Sequence, residues 1–198
     1  MSNARKVVAV LVALASAVAP VAEPQPPIRI GASLSLTGSY AAIGPNLHRG
    51  YQLCVKHMND KGGVLGRKLE LVHYDNGSDP ATAVRLYEKL ITQDEVDLVL
   101  GPNSSPLTDA VADVTEKHRM PLMTHAATTS IFRKGRKFIF MVLPPAEVQF
   151  EGLIDLAVKR RLKTVAIINE DTIFPKAAAQ GAMELAKKKG LQVVFTEA

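Results

Sequence analysis

Residues 28–75 read IRIGASLSLTGSYAAIGPNLHRGYQLCVKHMNDKGGVLGRKLELVHYD. Ile28 to Leu34 is a short apolar run of strand length, and Ser35 to Gly44 is a loop rich in small and hydroxyl residues. Pro45 and Asn46 can open a helix that continues to about Asn59, with Leu47, Tyr51, Cys54, Val55 and Met58 at helical spacing on one face. Lys61-Gly62-Gly63 stops it, as glycine does past a helix C-terminus. Lys68 to Tyr74 then alternates as a second strand. Strand, helix, strand is the repeating unit of a parallel sheet packed with helices.

The same rhythm continues outward. Asp79-Pro80 starts a helix, with aspartate as N-cap and proline in the first turn, and Ala83, Val84, Tyr87, Leu90 and Ile91 follow at helical spacing. Val96 to Leu100 reads as a buried strand, Gly101 to Ser105 as the turn into a helix bearing Leu107, Ala110, Val111 and Val114, and Pro121–Thr124 and Phe138–Val142 as two more strands. Leu143-Pro144-Pro145 breaks the pattern, because paired prolines favour an extended crossing segment. Beyond it come a helix from about Ala146 to Arg161, a strand Thr164–Ile168, a helix Pro175–Lys189 and a strand Leu191–Phe195. The expected fold class is α/β: a doubly wound parallel-sheet lobe over 28–142, a hinge crossing at 143–145, and the start of a second α/β lobe over 146–198. Two strands and two helices are thin for an independent core and leave open sheet edges. The second piece is therefore expected to fray, and the end at Ala198 reads as a truncation or as a lobe that a partner chain completes.

Residues 1–22 read as a signal peptide. Arg5-Lys6 is a short positive region, Val7–Val18 an apolar run too short to span comfortably, and Ala15-Ser16-Ala17 and Ala17-Val18-Ala19 are cleavage-like. No cysteine lies near the cleavage region to take a lipid, so a periplasmic location without stable membrane insertion is expected. Residues 23–27, Glu23-Pro24-Gln25-Pro26-Pro27, read as an extended start. The single cysteine excludes an intrachain disulfide. With 24 basic and 19 acidic residues, net charge +5, the excess is too small to argue for nucleic acid, and the basic clusters at 133–137, 159–161 and 187–189 carry no interleaved aromatics to stack bases.

In an open parallel sheet, ligands bind outside the carboxyl ends of the strands. Here those ends carry Ser35-Leu36-Thr37-Gly38-Ser39-Tyr40, Tyr74-Asp75-Asn76, Gly101-Pro102-Asn103-Ser104-Ser105 and Thr124-His125-Ala126-Ala127-Thr128-Thr129-Ser130. Small hydroxyl residues, glycine and alanine leave backbone N–H groups open, and a helix N-terminus near Ser105 suits a carboxylate. The pattern implies a small polar ligand, anionic or zwitterionic. Catalytic patterns are weaker. Ser104 and Ser105 have no paired base in the sequence, His125 reads as structural, and His48, His57, His73 and His118 show no metal-ligand spacing. Gly101–Ser105 is not a phosphate loop, and Gly62-Gly63-Val64-Leu65-Gly66 leads into a strand rather than a helix, so it is no dinucleotide fingerprint. Asp75 and Asp79 flank a glycine turn and read as caps before calcium ligands. No enzyme activity, cofactor or metal is expected.

Together these residues resemble the type I periplasmic solute-binding proteins of branched-chain amino acid ABC transporters, the Leu/Ile/Val-binding protein family. The resemblance rests on Ile30-Gly31 with Leu36-Thr37-Gly38 and Gly44, the turn Asn59–Arg67, Asp75–Pro80, Gly101–Ser105, and Pro121–Thr124 with Ala126-Ala127-Thr128. It implies two α/β lobes around a hinge and an amino acid held in the cleft between them. Ser105 would offer amide and hydroxyl, Ala126 its carbonyl, and Thr128 amide and hydroxyl, with Ser104 and Ala127 beside them; Phe174 would cover the ligand from the second lobe. The usual aromatic of the first ligand loop falls at Ile43, with Tyr40 as a substitute. Ser78 and Ser104 stand where the best-known members have a disulfide, and Pro175 where glycine is common. A second-lobe acidic residue that meets the ligand ammonium has no counterpart within these residues. The implied function is the extracytoplasmic substrate-binding component that delivers an amino acid to ABC permease subunits. The alternatives are a sensor or receptor domain on the same fold, or a binder of a small amide or aromatic acid.

Overall fold

The computed structural model describes residues 25–198, so the expected signal peptide lies outside the described residues. The first strand, β1 (Ile28–Leu34), is followed by α1 (Gly44–Asp60), β2 (Leu69–Asp75), α2 (Pro80–Thr92), β3 (Leu98–Leu100), α3 (Ser105–Lys117), β4 (Leu122–Thr124), a one-turn helix α4 (Thr129–Phe132) and β5 (Ile139–Met141). All five strands pair in parallel, in the order β2-β1-β3-β4-β5. The chain leaves β1 towards β2 on one side and re-enters at β3 on the other. That reversal is the topological switch point, where the loops after two neighbouring strands diverge and open a crevice.

The main core lies on one face of this sheet. Tyr87 and Leu90 of α2, Leu107 and Val111 of α3, and Val99 and Leu122 of the sheet are fully buried. Asp79 caps α2, its carboxylate accepting from the Thr82 amide at 2.7 Å. On the opposite face α1 contacts β1 and β2. Side-chain alternation turns Met123 and Phe140 to that second face, where they remain 38% and 47% exposed. Cys54, expected on the packed face of α1, is exposed; the sheet contacts of this helix are chiefly with β1 and β2.

A 3-10 turn at Ala146–Val148 follows, then α5 (Glu151–Lys159), β6 (Thr164–Ile168), α6 (Ile173–Lys188) and β7 (Gln192–Glu197). The continuous helix expected over 146–161 is thus two pieces, broken at Gln149-Phe150. β6 and β7 form a separate parallel pair. Ile154, Ala186 and Leu191 make a small core beneath it, while Ile168 stays 74% exposed. α6 lies against the 3-10 turn, and Gly181 permits this approach: a Cβ there would fall 1.9 Å from the Glu147 carbonyl oxygen. Among the described residues, no helix is long and apolar enough to cross a membrane.

Candidate ligand cleft

The loop after β1 is held in place by its neighbours. Asp75, at the end of β2, accepts from the amides of Leu36 at 3.0 Å, Thr37 at 3.3 Å and Gly77 at 2.9 Å, and from the Thr37 hydroxyl at 2.7 Å. Burial would raise the Asp75 pKa, but these donors outweigh it and hold the carboxyl below its ordinary value. The Ser78 hydroxyl donates to the Thr37 carbonyl at 2.7 Å and accepts from the Tyr40 amide at 3.0 Å. Gly44 closes the loop against the end of β1, where a Cβ would sit 1.9 Å from the Ser35 carbonyl oxygen.

The loop after β3 contributes Ser104 and Ser105. Ser104 caps α3, its hydroxyl accepting from the Leu107 amide at 3.3 Å. Ser105 is buried, and its Oγ accepts from the Thr128 hydroxyl at 3.2 Å, which joins the loops after β3 and β4. Ala126 and Thr128 are buried beside it. The Ser105 amide, the Thr128 amide and the Ala126 carbonyl have no hydrogen-bond partner among the described residues. Two donors and one acceptor of the main chain are therefore left in the joined loops after β3 and β4. Ala127 faces another way: its carbonyl accepts from the Ala146 amide at 2.8 Å, and its side chain packs with Ala146 and Ala178.

The crevice over these loops is a cleft of about 760 Å³. Tyr40 and Ile43 line it from the loop after β1, Ser104 and Ser105 from that after β3, and Phe174 from the start of α6. Ala126, Ala127 and Thr128 are buried in the adjoining loop after β4 and are not among the side chains that line the cleft. The sequence reading did not single out Asn103, Gln149, Glu170 and Thr172, which also line the cleft, and it took His125 as structural. Asn103 and His125 lie in the quoted strand-end segments, so their position was the available signal. His125 is half-buried and its Nδ1 meets the Tyr51 hydroxyl at 3.2 Å; burial pushes its pKa down, so the ring is neutral at pH 7. A second hollow of about 660 Å³ runs along α6 and β7, away from the strand ends of the five-stranded sheet. Among the described residues, no group of three or more His, Cys, Asp or Glu side chains is placed to hold a metal ion.

Residues 27–198 match the family model described as periplasmic binding protein. The chain belongs to that family. Among curated members, the Leu/Ile/Val-binding protein BraC3 of Rhizobium johnstonii is 29% identical over 173 residues, 86% of this chain and 47% of that protein. The leucine-, isoleucine-, valine-, threonine- and alanine-binding protein of Pseudomonas aeruginosa is 28% identical, over 86% of this chain and 46% of that protein. Among solved structures, the branched-chain amino acid transporter substrate-binding protein LivJ of Streptococcus pneumoniae, in complex with isoleucine, superposes with a TM-score of 0.77 at 28% identity, covering 86% of this chain and 49% of that one. The chain spans about half the length of these relatives. As a periplasmic binding protein it has the type I fold that the sheet order and alternating helices describe.

Proposed function

We propose that this chain provides the first lobe, residues 28–142, and part of the second, 146–198, of an extracytoplasmic substrate-binding component of an ABC transporter. The lobes meet at 143–145, and the ligand is an amino acid of the branched-chain type. The observation that carries this reading is the set of unpaired main-chain groups around the Ser105–Thr128 hydroxyl pair. The Ser105 amide at the N-terminus of α3 and the Thr128 amide of the joined loop suit an α-carboxylate, and the Ala126 carbonyl suits an α-ammonium. Ser104 and Ala127 shape the two loops that present these groups. Tyr40 and Ile43 contact the ligand side chain, and Phe174 covers it from α6. Binding asks for a shaped, dry site and no nucleophile or base, and closure of the lobes over the ligand makes the surface that permease subunits recognise. Residues 1–22 export the chain to the periplasm.

Thermal melting of the protein against the twenty amino acids, a few small amides and aromatic acids tests the reading. A ligand that binds only the folded state raises the melting temperature by mass action. A rise with one or a few aliphatic amino acids is expected. No rise with any amino acid would overturn the assignment.

A further inference from the structure

Leu143-Pro144-Pro145 carries the chain away from β5 in extended form, Pro145 having φ −50° and ψ 142°, and the 3-10 turn Ala146–Val148 follows at once. This turn meets the loop after β4 at two points, one on each side of Thr128. On one side the Ala146 amide donates to the Ala127 carbonyl at 2.8 Å. On the other, Glu147 Oε1 accepts from the Thr129 amide at 3.3 Å and from the Thr129 hydroxyl. The Ala127 carbonyl and the Thr128 amide are the two ends of one trans peptide unit, and its planarity makes them point in opposite directions. Holding that carbonyl towards Ala146 therefore turns the Thr128 N–H away from the turn. The next peptide unit is also held at both ends. Its carbonyl, that of Thr128, accepts from the Ile131 amide at 3.2 Å, and its N–H, that of Thr129, is the one bound by Glu147. With both flanking planes held, Thr128 keeps little freedom about its φ of −78° and ψ of 111°.

Resting on the functional reading above, we infer that Glu147 is a positioning residue of the ligand site, fixing the Thr128 amide for the α-carboxylate from outside the cleft. Glu147 does not line the cleft, so it acts on the ligand through Thr128. The acceptor at Oε1 is what the loop uses. Oε2 is buried with no partner among the described residues, so nothing around it calls for a second oxygen. Glutamine keeps the Oε1 acceptor, and alanine removes it. The turn itself is seated on α6: Ala146 packs with Ala127 and Ala178, and Gly181 admits the Glu147 main chain. The first turn of α6 carries Phe174, on the cleft wall. One short turn thus supports both the amide that meets the carboxylate and the helix that covers the ligand.

The test is titration calorimetry of the protein with leucine, isoleucine and valine, for wild type, Glu147→Ala, Glu147→Gln and Thr129→Val, each checked for folding by circular dichroism. Backbone ¹⁵N–¹H spectra follow the Thr128 and Thr129 amides in the same proteins. In Glu147→Ala the tightest of the three ligands is expected to bind about tenfold more weakly, the scale of one hydrogen bond to a charged group. The Thr128 and Thr129 signals should already move in that variant before ligand is added. Glu147→Gln should restore most of the affinity and both signals. Thr129→Val, which loses the hydroxyl and keeps the amide, should fall between, and it carries the test if Glu147→Ala does not fold. Wild-type affinity in folded Glu147→Ala, or in Thr129→Val where Glu147→Ala does not fold, overturns the inference and leaves amino-acid binding intact. So does an equal loss in Glu147→Ala and Glu147→Gln. If none of the three ligands binds the folded wild type, the inference fails together with the functional reading beneath it.

Discussion

The Thr128 hydroxyl donates to Ser105 Oγ at 3.2 Å, tying the loop after β4 to the first residue of α3 across the mouth of β3. Both residues are buried, and their main-chain amides are without partners among the described residues. The pair therefore ties together the two loops that carry these amides. Replacing Ser105 with Ala or Thr128 with Val removes one hydroxyl from the proposed carboxylate site. A hydrogen bond to a charged group is worth about 1.5–3 kcal/mol, so the dissociation constant for an amino acid should rise roughly ten- to a hundredfold. Titration calorimetry measures it; unchanged affinity in both variants would remove the pair from the site.

Asp75 holds the loop after β1 through four donors, and its carboxyl is pulled below its ordinary pKa. A carboxyl depressed in the folded state contributes stability that is present above its unfolded pKa, about 3.9, and lost as pH falls through the folded value. Urea melts between pH 7 and pH 3 should therefore show wild type losing stability on acidification more steeply than Asp75→Asn. Asp75→Asn should also weaken ligand binding, because the amide cannot accept from all four donors. Equal acid slopes would mean that the loop clamp does not form.

His48 of α1 and His73 of β2 sit with ring centroids 4.1 Å apart, and His48 Nε2 is buried without a partner. Burial, and then the neighbouring His73, push the His48 pKa down. The folded state then binds the proton more weakly than the unfolded chain, so this stability is present above the unfolded pKa of about 6.5 and lost as pH falls towards the lower folded value. A melting temperature that drops on going from pH 7 to pH 5 in wild type, and drops less in His48→Gln, is expected. Parallel curves would contradict it.

Gly181 is where α6 touches the 3-10 turn after the proline crossing. A methyl group at 1.9 Å from a carbonyl oxygen cannot be accommodated without displacing the helix, and overpacking of this kind costs about 1–3 kcal/mol. Gly181→Ala should lower the melting temperature and speed amide exchange in α6 and in β6–β7, leaving β1 and β3 protected. Full stability in this variant would show that α6 does not seat on the turn.

Regular elements were legible because their signals are local. β1 has the bounds that its apolar run predicts, and Asp79-Pro80 opens α2 as capping chemistry requires. α4 escaped because four residues show no periodicity, and the break at Gln149-Phe150 because the flanking pieces keep helical spacing across it. Cys54 was misplaced because periodicity marks a helix's apolar stripe but not how far the facing sheet extends beneath it. In the cleft, strand ends named the loops. The Tyr51–His125 contact spans 74 residues and joins a helix face to a loop, which no spacing rule reports. The orphaned Asn103 donor depends on one backbone amide, that of Ser35, being already committed.

In the proposed complex, the Ser105 and Thr128 amides hold the α-carboxylate of an amino acid. Backbone ¹⁵N–¹H spectra of the protein, titrated with the tightest amino acid from the melting screen and with its carboxamide, test it most directly. Large shifts at Ser105 and Thr128 are expected with the amino acid, and little or none at the same concentration of carboxamide. Equal shifts with both compounds, or shifts confined to residues away from these two loops, would contradict it.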